Sequence, residues 1–176
     1  MRATAIQPSG VEHLLGPGEL IVSKTDPKGV LTYVNHVFCR MAGAREEDLL
    51  GRPHNIIRHP DMPRAVFKLL WDTIQARREI FAYVKNLGID GSHYWVFAHV
   101  TPTGRPGQPI TGYHSSRRAP AREAIAAVEP LYRELRGIER SHSSSRAGLE
   151  ASATVLEARL HDQGLTYDEF VWSVTP

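Results

Sequence analysis

The order of strand-like and helix-like segments constrains this fold more than any other feature of the sequence. Five segments have the length, β-branched content and turn-bounded ends of strands: 19–23, 30–34, 81–86, 93–101 and 110–116. Two of them precede, and three follow, a stretch of helical periodicity from about residue 35 to residue 77. Strands grouped in runs, rather than alternating with helices, favour an antiparallel sheet with helices on one face. The sequence therefore predicts an α+β fold with a five-stranded antiparallel sheet.

Short helices and one longer helix are predicted between the second and third strands. Gly43 ends the first short helix, and the second covers 44–50, where acidic residues come early and a glycine follows. Residues 52–63 are irregular, and Pro63 suits the first turn of the longer helix at 64–77. Irregular helices over the concave side of a sheet are expected to enclose a small-molecule pocket.

Composition and periodicity divide the chain into three parts. Residues 1–18 are rich in Gly and Pro and lack periodicity, so we expect a flexible N-terminal arm. Residues 19–118 contain the five predicted strands and form the predicted domain. Beyond them, apolar stripes at helical spacing predict a C-terminal helical extension over 119–176, with a Ser-rich hinge at 140–146.

Composition also excludes several classes of function. A formal net charge of +2 is too small to indicate a nucleic-acid partner. No apolar run approaches the roughly 18 residues of a membrane helix, so direct membrane insertion is not expected. A single cysteine and an N-terminus without a secretory signal predict a cytoplasmic location. The sequence lacks a nucleophile elbow and a Walker-type phosphate loop, so we do not expect an enzyme.

Residues 53–63, with the sequence Pro-His-Asn-Ile-Ile-Arg-His-Pro-Asp-Met-Pro, resemble the signature of the sensory PAS domain of bacterial aerotaxis receptors. The resemblance continues through Trp71 and the segments 84–86, 90–96 and 126–132, and covers about residues 20 to 135. It implies the PAS fold, with short helices and one longer helix on one face of the sheet. It also implies a non-catalytic sensor of redox state or oxygen that holds FAD.

The chain is also similar to the stand-alone PAS proteins of bipartite energy-taxis systems. In those systems a separate methyl-accepting chemotaxis transducer carries the membrane part, and the resemblance implies such a transducer as the partner. PAS modules commonly self-associate through the outer face of their sheet, so a homodimer is expected by analogy with the family.

The resemblance implies a set of flavin-binding residues. Within the signature, the family's pocket residues correspond to Arg58, His59 and Asp61. Further positions carried over from the family are Asn35, Trp71 and Asn86. Where family members often have a tryptophan beside the flavin, this chain has Phe81, which keeps an aromatic face and loses the indole N–H donor.

The chemistry of these residues leaves alternatives open. The guanidinium of Arg58 fits a phosphate or a flavin carbonyl, or else an ion pair with Asp61 on a surface loop. The amide of Asn86 both donates and accepts, so it suits a flavin N5 that gains a proton, or simply ends a strand. Arg117 and Arg118 are predicted to be solvated or to face a partner.

Two histidines define a competing hypothesis. His54 and His59 fit hydrogen bonds to a flavin, the cap of the next helix, or axial ligation of haem b in a gas sensor. Either face of strand 93–99 fits the pocket wall, and no metal site is predicted. A third hypothesis is a cofactor-free PAS module that acts in dimerisation or docking.

Overall fold

The computed structural model describes residues 6–176 and contains one five-stranded sheet among them. The strands are β1 (Ile21–Thr25), β2 (Leu31–Val34), β3 (Ile80–Leu87), β4 (His93–Thr103) and β5 (Gly112–Arg118). Their spatial order is β2-β1-β5-β4-β3, and every neighbouring pair is antiparallel. The chain therefore crosses from one edge of the sheet to the other between β2 and β3. This topology confirms the predicted α+β fold class and the antiparallel sheet.

The crossover is made of helices on the concave face of the sheet. They are α1 (His36–Ala42), α2 (Glu46–Leu49), a 3₁₀ turn (His54–Ile57) and α3 (Arg64–Gln75). Gly43, in the left-handed conformation with φ 66°, ends α1 as the sequence predicts. The longest helix of the crossover, α3, buries Val66, Leu70 and Ile74 toward the sheet. The N-cap of α3, Pro63, supplies no side-chain hydrogen bond. Burial of this apolar stripe is therefore the main source of stability for α3.

Three further helices follow the sheet: α4 (Arg122–Ser141), α5 (Ser145–Asp162) and α6 (Tyr167–Ser173). Helices α4 and α6 pack on the convex side of β3 and β4. There the Tyr132 hydroxyl of α4 donates to the Tyr83 carbonyl at 2.8 Å. The Trp172 ring of α6 lies 4.8 Å from the ring of Phe81. Helix α4 continues through Pro130 without a break.

A buried carboxylate joins these helices to α3. Glu139 of α4 accepts hydrogen bonds from the side chains of Arg64, Arg136 and Ser152 and from the Ala65 amide, at 3.0–3.2 Å. Its side chain has no solvent exposure. Buried charges are retained where they are paired and hydrogen-bonded, which is the case here. The C-terminal helices are therefore attached to the domain through the N-terminus of α3 as well as through the sheet.

The segment before β1 runs beside the start of β4. The Ser9 amide donates to the Gly91 carbonyl, and the His93 amide donates to the Val11 carbonyl, both at 2.8 Å. Residues 1–5 of the predicted arm lie outside the described residues. The three domain boundaries remain predictions. Among the described helices, none has both the length and the apolar character needed to cross a bilayer.

Candidate functional site

A cavity of about 210 Å³ lies between the concave face of the sheet and the helices. Its lining residues come from β1, the β1–β2 turn, the 3₁₀ region, α3 and strands β3 to β5: Ser23, Thr25, Lys28, Gly29, Pro53, His54, Asn55, Ile57, Arg58, Phe67, Leu70, Trp71, Ile74, Val84, Asn86, Ala98, Val100, Tyr113, Ser115 and Arg117. Because side chains alternate along a strand, the contributions of β4, Ala98 and Val100, identify the inward face. The opposite face of β4, with His93, Trp95, Phe97 and His99, points away from the cavity. The sequence had left this choice open.

Aromatic and aliphatic side chains form the outer wall. Trp71 of α3 meets Tyr113 of β5 edge-on, with ring centroids 5.4 Å apart. Gly29, in the β1–β2 turn, has φ +80°, and a Cβ there would lie 2.9 Å from the Trp71 ring. The indole therefore takes its place because the turn has no side chain at this position.

A buried arginine forms the inner end of the cavity. The Nη2 of Arg117 donates to the Ser23 hydroxyl and to the His54 Nε2, both at 2.6 Å. Burial lowers the pKa of the Arg117 guanidinium to about 10, still well above neutral pH. Burial, and then the charge of Arg117, lower the pKa of His54 to about 3. His54 is therefore neutral, accepts through Nε2 and carries its proton on Nδ1.

Four buried side-chain atoms of the described residues have no hydrogen-bond partner: Asn86 Nδ2, Tyr94 OH, Ser115 Oγ and Arg117 Nη1. Three of these side chains, those of Asn86, Ser115 and Arg117, line the cavity. Leaving a buried polar atom unpaired costs about 1–3 kcal/mol, so such atoms are uncommon in folded proteins. Their grouping around one cavity indicates a wall that donates hydrogen bonds to a ligand.

The charge of the cavity wall has one sign. Its charged side chains are Lys28, Arg58 and Arg117, and none of the lining residues found within positions 6–176 is acidic. The Arg58 guanidinium lies over the Phe67 ring at 3.9 Å, and burial lowers its pKa to about 10. The cavity therefore favours a ligand that carries negative charge or many acceptor atoms.

The structure brings together half of the eight residues predicted to bind the cofactor. Arg58, Trp71, Asn86 and His54 all line the cavity. The other four, His59, Asp61, Asn35 and Phe81, do not line it. Each of these four has a different set of partners.

His59 and Asp61 lie together where the signature segment meets α4. The buried ring of His59 accepts from the Asp61 amide through Nδ1 at 3.1 Å, and burial lowers the pKa of His59 to about 4. The Asp61 carboxylate lies 3.4 Å from Lys85 Nζ and 3.5 Å from Arg140 Nη2. The predicted surface pair of Arg58 with Asp61 is therefore replaced by pairs with Lys85 and Arg140.

Asn35 and Phe81 have contacts that explain them without a ligand. The Asn35 side chain accepts from the amides of Val22 and Phe38, both at 3.0 Å, so it caps α1 and ties it to β1. Phe81 points to the convex side of β3 and stacks on the His99 ring with centroids 4.2 Å apart. The alternation of β3 puts Val84 and Asn86 toward the cavity and Phe81 away from it.

Sequence reasoning missed the polar side chains of β5. The prediction that Arg117 is solvated or faces a partner is wrong, because only 4% of the residue is exposed. Ser115 was not singled out at all. The available signal was alternation: Tyr113, Ser115 and Arg117 share one face of a strand, and Tyr113 is the aromatic residue expected to face inward.

Comparison with known proteins shows what this chain is similar to. Residues 31–114 match the family described as PAS fold. The chain is 43% identical over 115 residues to the aerotaxis receptor of Escherichia coli (strain K12), which covers 65% of this chain and 22% of the receptor. It is 28% identical over 97 residues to a nitrogen fixation regulatory protein of Klebsiella pneumoniae, covering 55% of this chain and 20% of that protein. The chain thus spans about a fifth of the curated relatives it matches.

Solved structures share the architecture at low sequence identity. A PAS domain from Colwellia psychrerythraea superposes with a TM-score of 0.52 at 17% identity, over 57% of this chain and 85% of that one. The dark structure of the blue-light photoreceptor Aureochrome1 LOV superposes with a TM-score of 0.53 at 21% identity, over 68% of this chain and 86% of that one. These superpositions confirm the predicted fold.

Proposed function

We propose that this chain is a non-enzymatic redox or oxygen sensor that binds FAD in the cavity, because residues 31–114 match the PAS fold and the chain is similar to an aerotaxis receptor. The names of its relatives, an aerotaxis receptor and a nitrogen fixation regulatory protein, support a sensory role. The observation that carries the choice of ligand is the set of unpartnered donors on Asn86, Ser115 and Arg117.

The residues of the cavity fit a flavin. Carbonyl oxygens and ring nitrogens of an isoalloxazine are acceptors of the kind that these free donors require, and Trp71 and Phe67 supply aromatic walls. Lys28 and Arg58 supply positive charge for phosphate groups. The cavity volume of 210 Å³ is below the roughly 300–1,000 Å³ of typical ligand pockets, so it suits the ring, with the rest of FAD outside. Bound FAD supplies a ring whose charge and protonation change with its redox state.

Haem b fits the same residues poorly. His54 is the histidine that lines the cavity, but its Nε2 accepts a hydrogen bond from Arg117 at 2.6 Å. Iron at that nitrogen would lie beside a guanidinium and displace its hydrogen bond. His59 points elsewhere and already accepts from Asp61. In a cofactor-free docking module the buried donors of the cavity wall would stay without hydrogen-bond partners.

A relay from the cavity to a partner is also part of the proposal. The backbones of Arg58 and Asn86 form a β-bridge, so a change at the Asn86 amide reaches the signature segment directly. That segment contacts α4, where Arg136 Nε donates to the Pro60 carbonyl at 2.7 Å. We propose that α4 passes the change to a methyl-accepting chemotaxis transducer by protein–protein contact in the cytoplasm, and that the chain forms a homodimer.

The absorption spectrum of the purified protein, before and after dithionite, tests the cofactor. Flavin bands that bleach on reduction are expected from the wild type. The variant Arg58→Ala is expected to lose about tenfold in FAD affinity, because a partly buried charged donor is removed. Arg52→Ala, an exposed arginine outside the cavity, is the control. A Soret band, or a protein that stays colourless after incubation with FAD, would contradict the proposal.

A further inference from the structure

Arg117 is a buried arginine of the cavity wall whose charge is not compensated by a carboxylate among residues 6–176. It is nearly fully buried, and both of its hydrogen bonds, to Ser23 and His54, go to neutral groups through the same Nη2. No carboxylate of the described residues forms an ion pair with it. A buried arginine is normally paired, because moving an unpaired charge out of water is strongly unfavourable.

The neighbours of Arg117 cannot supply the missing charge. His54 accepts from the guanidinium and stays neutral, and the Phe38 ring, 5.5 Å from the Arg117 Cζ, offers only a quadrupole. Burial raises the pKa of Tyr94, so its phenol does not ionise beside the guanidinium. The cluster therefore carries one net positive charge at the inner end of an enclosed space.

The cluster still has an unused donor, and the side chain that carries it lines the cavity. Arg117 Nη1 has no partner, and Ser115, two residues earlier on the same face of β5, also has a free hydroxyl. Asn86 adds a third free donor from β3, on the other side of β4. Asn86 lies four residue steps along the sheet from Arg117, so it meets a different part of a ligand from the edge that Arg117 meets. An edge with partial negative charge at Arg117 also compensates the guanidinium.

We infer that Arg117 is the specificity-determining residue of the cavity, and that it binds the carbonyl-bearing pyrimidine edge of the flavin ring through Nη1. This inference rests on the proposed function for the identity of the ring. Arg117 accordingly contributes to ligand binding and not to the stability of the ligand-free fold. The signature residue Arg58 does not share this role, because its side chain lies on Phe67 and donates to the Met62 carbonyl.

The variant Arg117→Met tests the inference, with Arg118→Met as its matched control. Methionine keeps an unbranched apolar side chain, shorter than arginine by two atoms, and removes the charge and the donors. Arg118 is the next residue and points to the other face, where its Cζ lies 5.0 Å from the Phe97 ring centroid. Affinities for riboflavin, FMN and FAD, and the thermal midpoint of the flavin-free protein, are measured for the full chain.

Arg117→Met is expected to weaken binding of all three flavins by the same factor, about ten- to a hundredfold, since a charge-assisted hydrogen bond to the ring is lost. The thermal midpoint of the flavin-free variant is expected to equal or exceed that of the wild type, because the Ser23 hydroxyl, 3.4 Å away, replaces Arg117 as donor to His54. Arg118→Met is expected to change each affinity less than twofold, which is within the range expected of a surface substitution.

Three results would overturn the inference. The first is that Arg117→Met binds riboflavin as tightly as the wild type does. The second is a loss of affinity confined to FMN and FAD, which would place Arg117 on a phosphate. The third is a fall of more than about 3 °C in the midpoint of the flavin-free variant but not of Arg118→Met, which would make Arg117 a structural residue. If the wild type binds no flavin, the proposed function fails, and the midpoints still decide whether Arg117 is structural or an uncompensated cation.

Discussion

His54 shows how burial fixes the protonation state of a single residue. Its Nε2 accepts from Arg117, so the ring has to remain neutral for the cluster to form. Its pKa is lowered to about 3 in the folded protein, from an ordinary value of 6.5. A histidine with a lowered pKa binds its proton more readily in the unfolded chain. Its contribution to stability is therefore complete above about pH 6.5 and lost progressively as the pH falls toward 3.

We predict that His54→Gln reduces the acid sensitivity of the protein. Glutamine keeps an acceptor for Arg117 and does not titrate. Between pH 7 and pH 5 the wild type should lose up to about 2 kcal/mol more unfolding free energy than the variant, by linkage. Urea denaturation at the two pH values measures the difference. His142→Gln, an exposed histidine at the end of α4, is the control. Equal pH dependence in wild type and His54→Gln would contradict the prediction.

At the scale of elements, the β1–β2 turn determines the width of the cavity. Gly29 has φ +80° and lies against the Trp71 ring, so a side chain there meets both backbone strain and an aromatic wall. Gly107, in the β4–β5 turn, has φ +75° and nothing within 4 Å of its Cβ position. The two glycines share a conformation and differ only in what a methyl group would touch.

We predict that Gly107→Ala destabilises the fold by about 1 kcal/mol through its positive φ, and that Gly29→Ala destabilises it by more, because the methyl group also meets the Trp71 ring. Gly29→Ala should in addition displace Trp71 and weaken FAD binding several-fold, whereas Gly107→Ala should bind FAD as the wild type does. Chemical denaturation and a flavin titration separate the two effects. If the FAD affinity falls equally in the two variants, or falls in neither of them, the β1–β2 turn does not shape the site.

The sequence predicted elements better than it predicted the faces of elements. Turn residues and periodicity placed all five strands to within a few residues. These signals act locally: residues 26–29 make the β1–β2 turn, and Gly43 ends the helix that follows β2. The last strand was predicted at 110–116, whereas β5 runs from Gly112 to Arg118. That difference left Arg117 outside the predicted sheet. The alternation that puts Arg117 on the same face as Tyr113 and Ser115 was therefore not applied to it.

Some predicted site residues line the cavity and others do not, and the difference again lies in which face of an element each side chain occupies. The resemblance identified Arg58, Trp71 and Asn86, which the structure places at the cavity. It also included Asn35 and Phe81, whose sequence positions are near those of cavity residues but whose side chains cap a helix and cover the convex face. Which side of an element a residue takes is decided by tertiary packing, so identity of residue type is a weaker guide than alternation within the folded sheet.

On the scale of the whole molecule, the signature segment lies between the cavity and the C-terminal helices. Arg58 lines the cavity, while Pro60 and Asp61, two and three residues later, bond to Arg136 and Arg140 of α4. The Lys85 amide, next to Asn86, also donates to the sulfur of Met62 at 3.3 Å. A rearrangement at Asn86 therefore has a short path of direct contacts to α4. Such a path transmits a signal only if the two redox states favour different arrangements of these contacts.

We predict that Arg136→Ala uncouples α4 from the redox state of the cavity. Hydrogen exchange over 122–141 is compared in oxidised and dithionite-reduced protein; the wild type should show a difference between the two states, and the variant should lose most of it. Its flavin spectrum should stay unchanged, because Arg136 does not line the cavity. Arg133→Ala, on an exposed side chain of the same helix, should keep the wild-type difference. An Arg136→Ala protein that also keeps it would place the path elsewhere, and Tyr132, bonded to the Tyr83 carbonyl of β3, would then be the contact to replace.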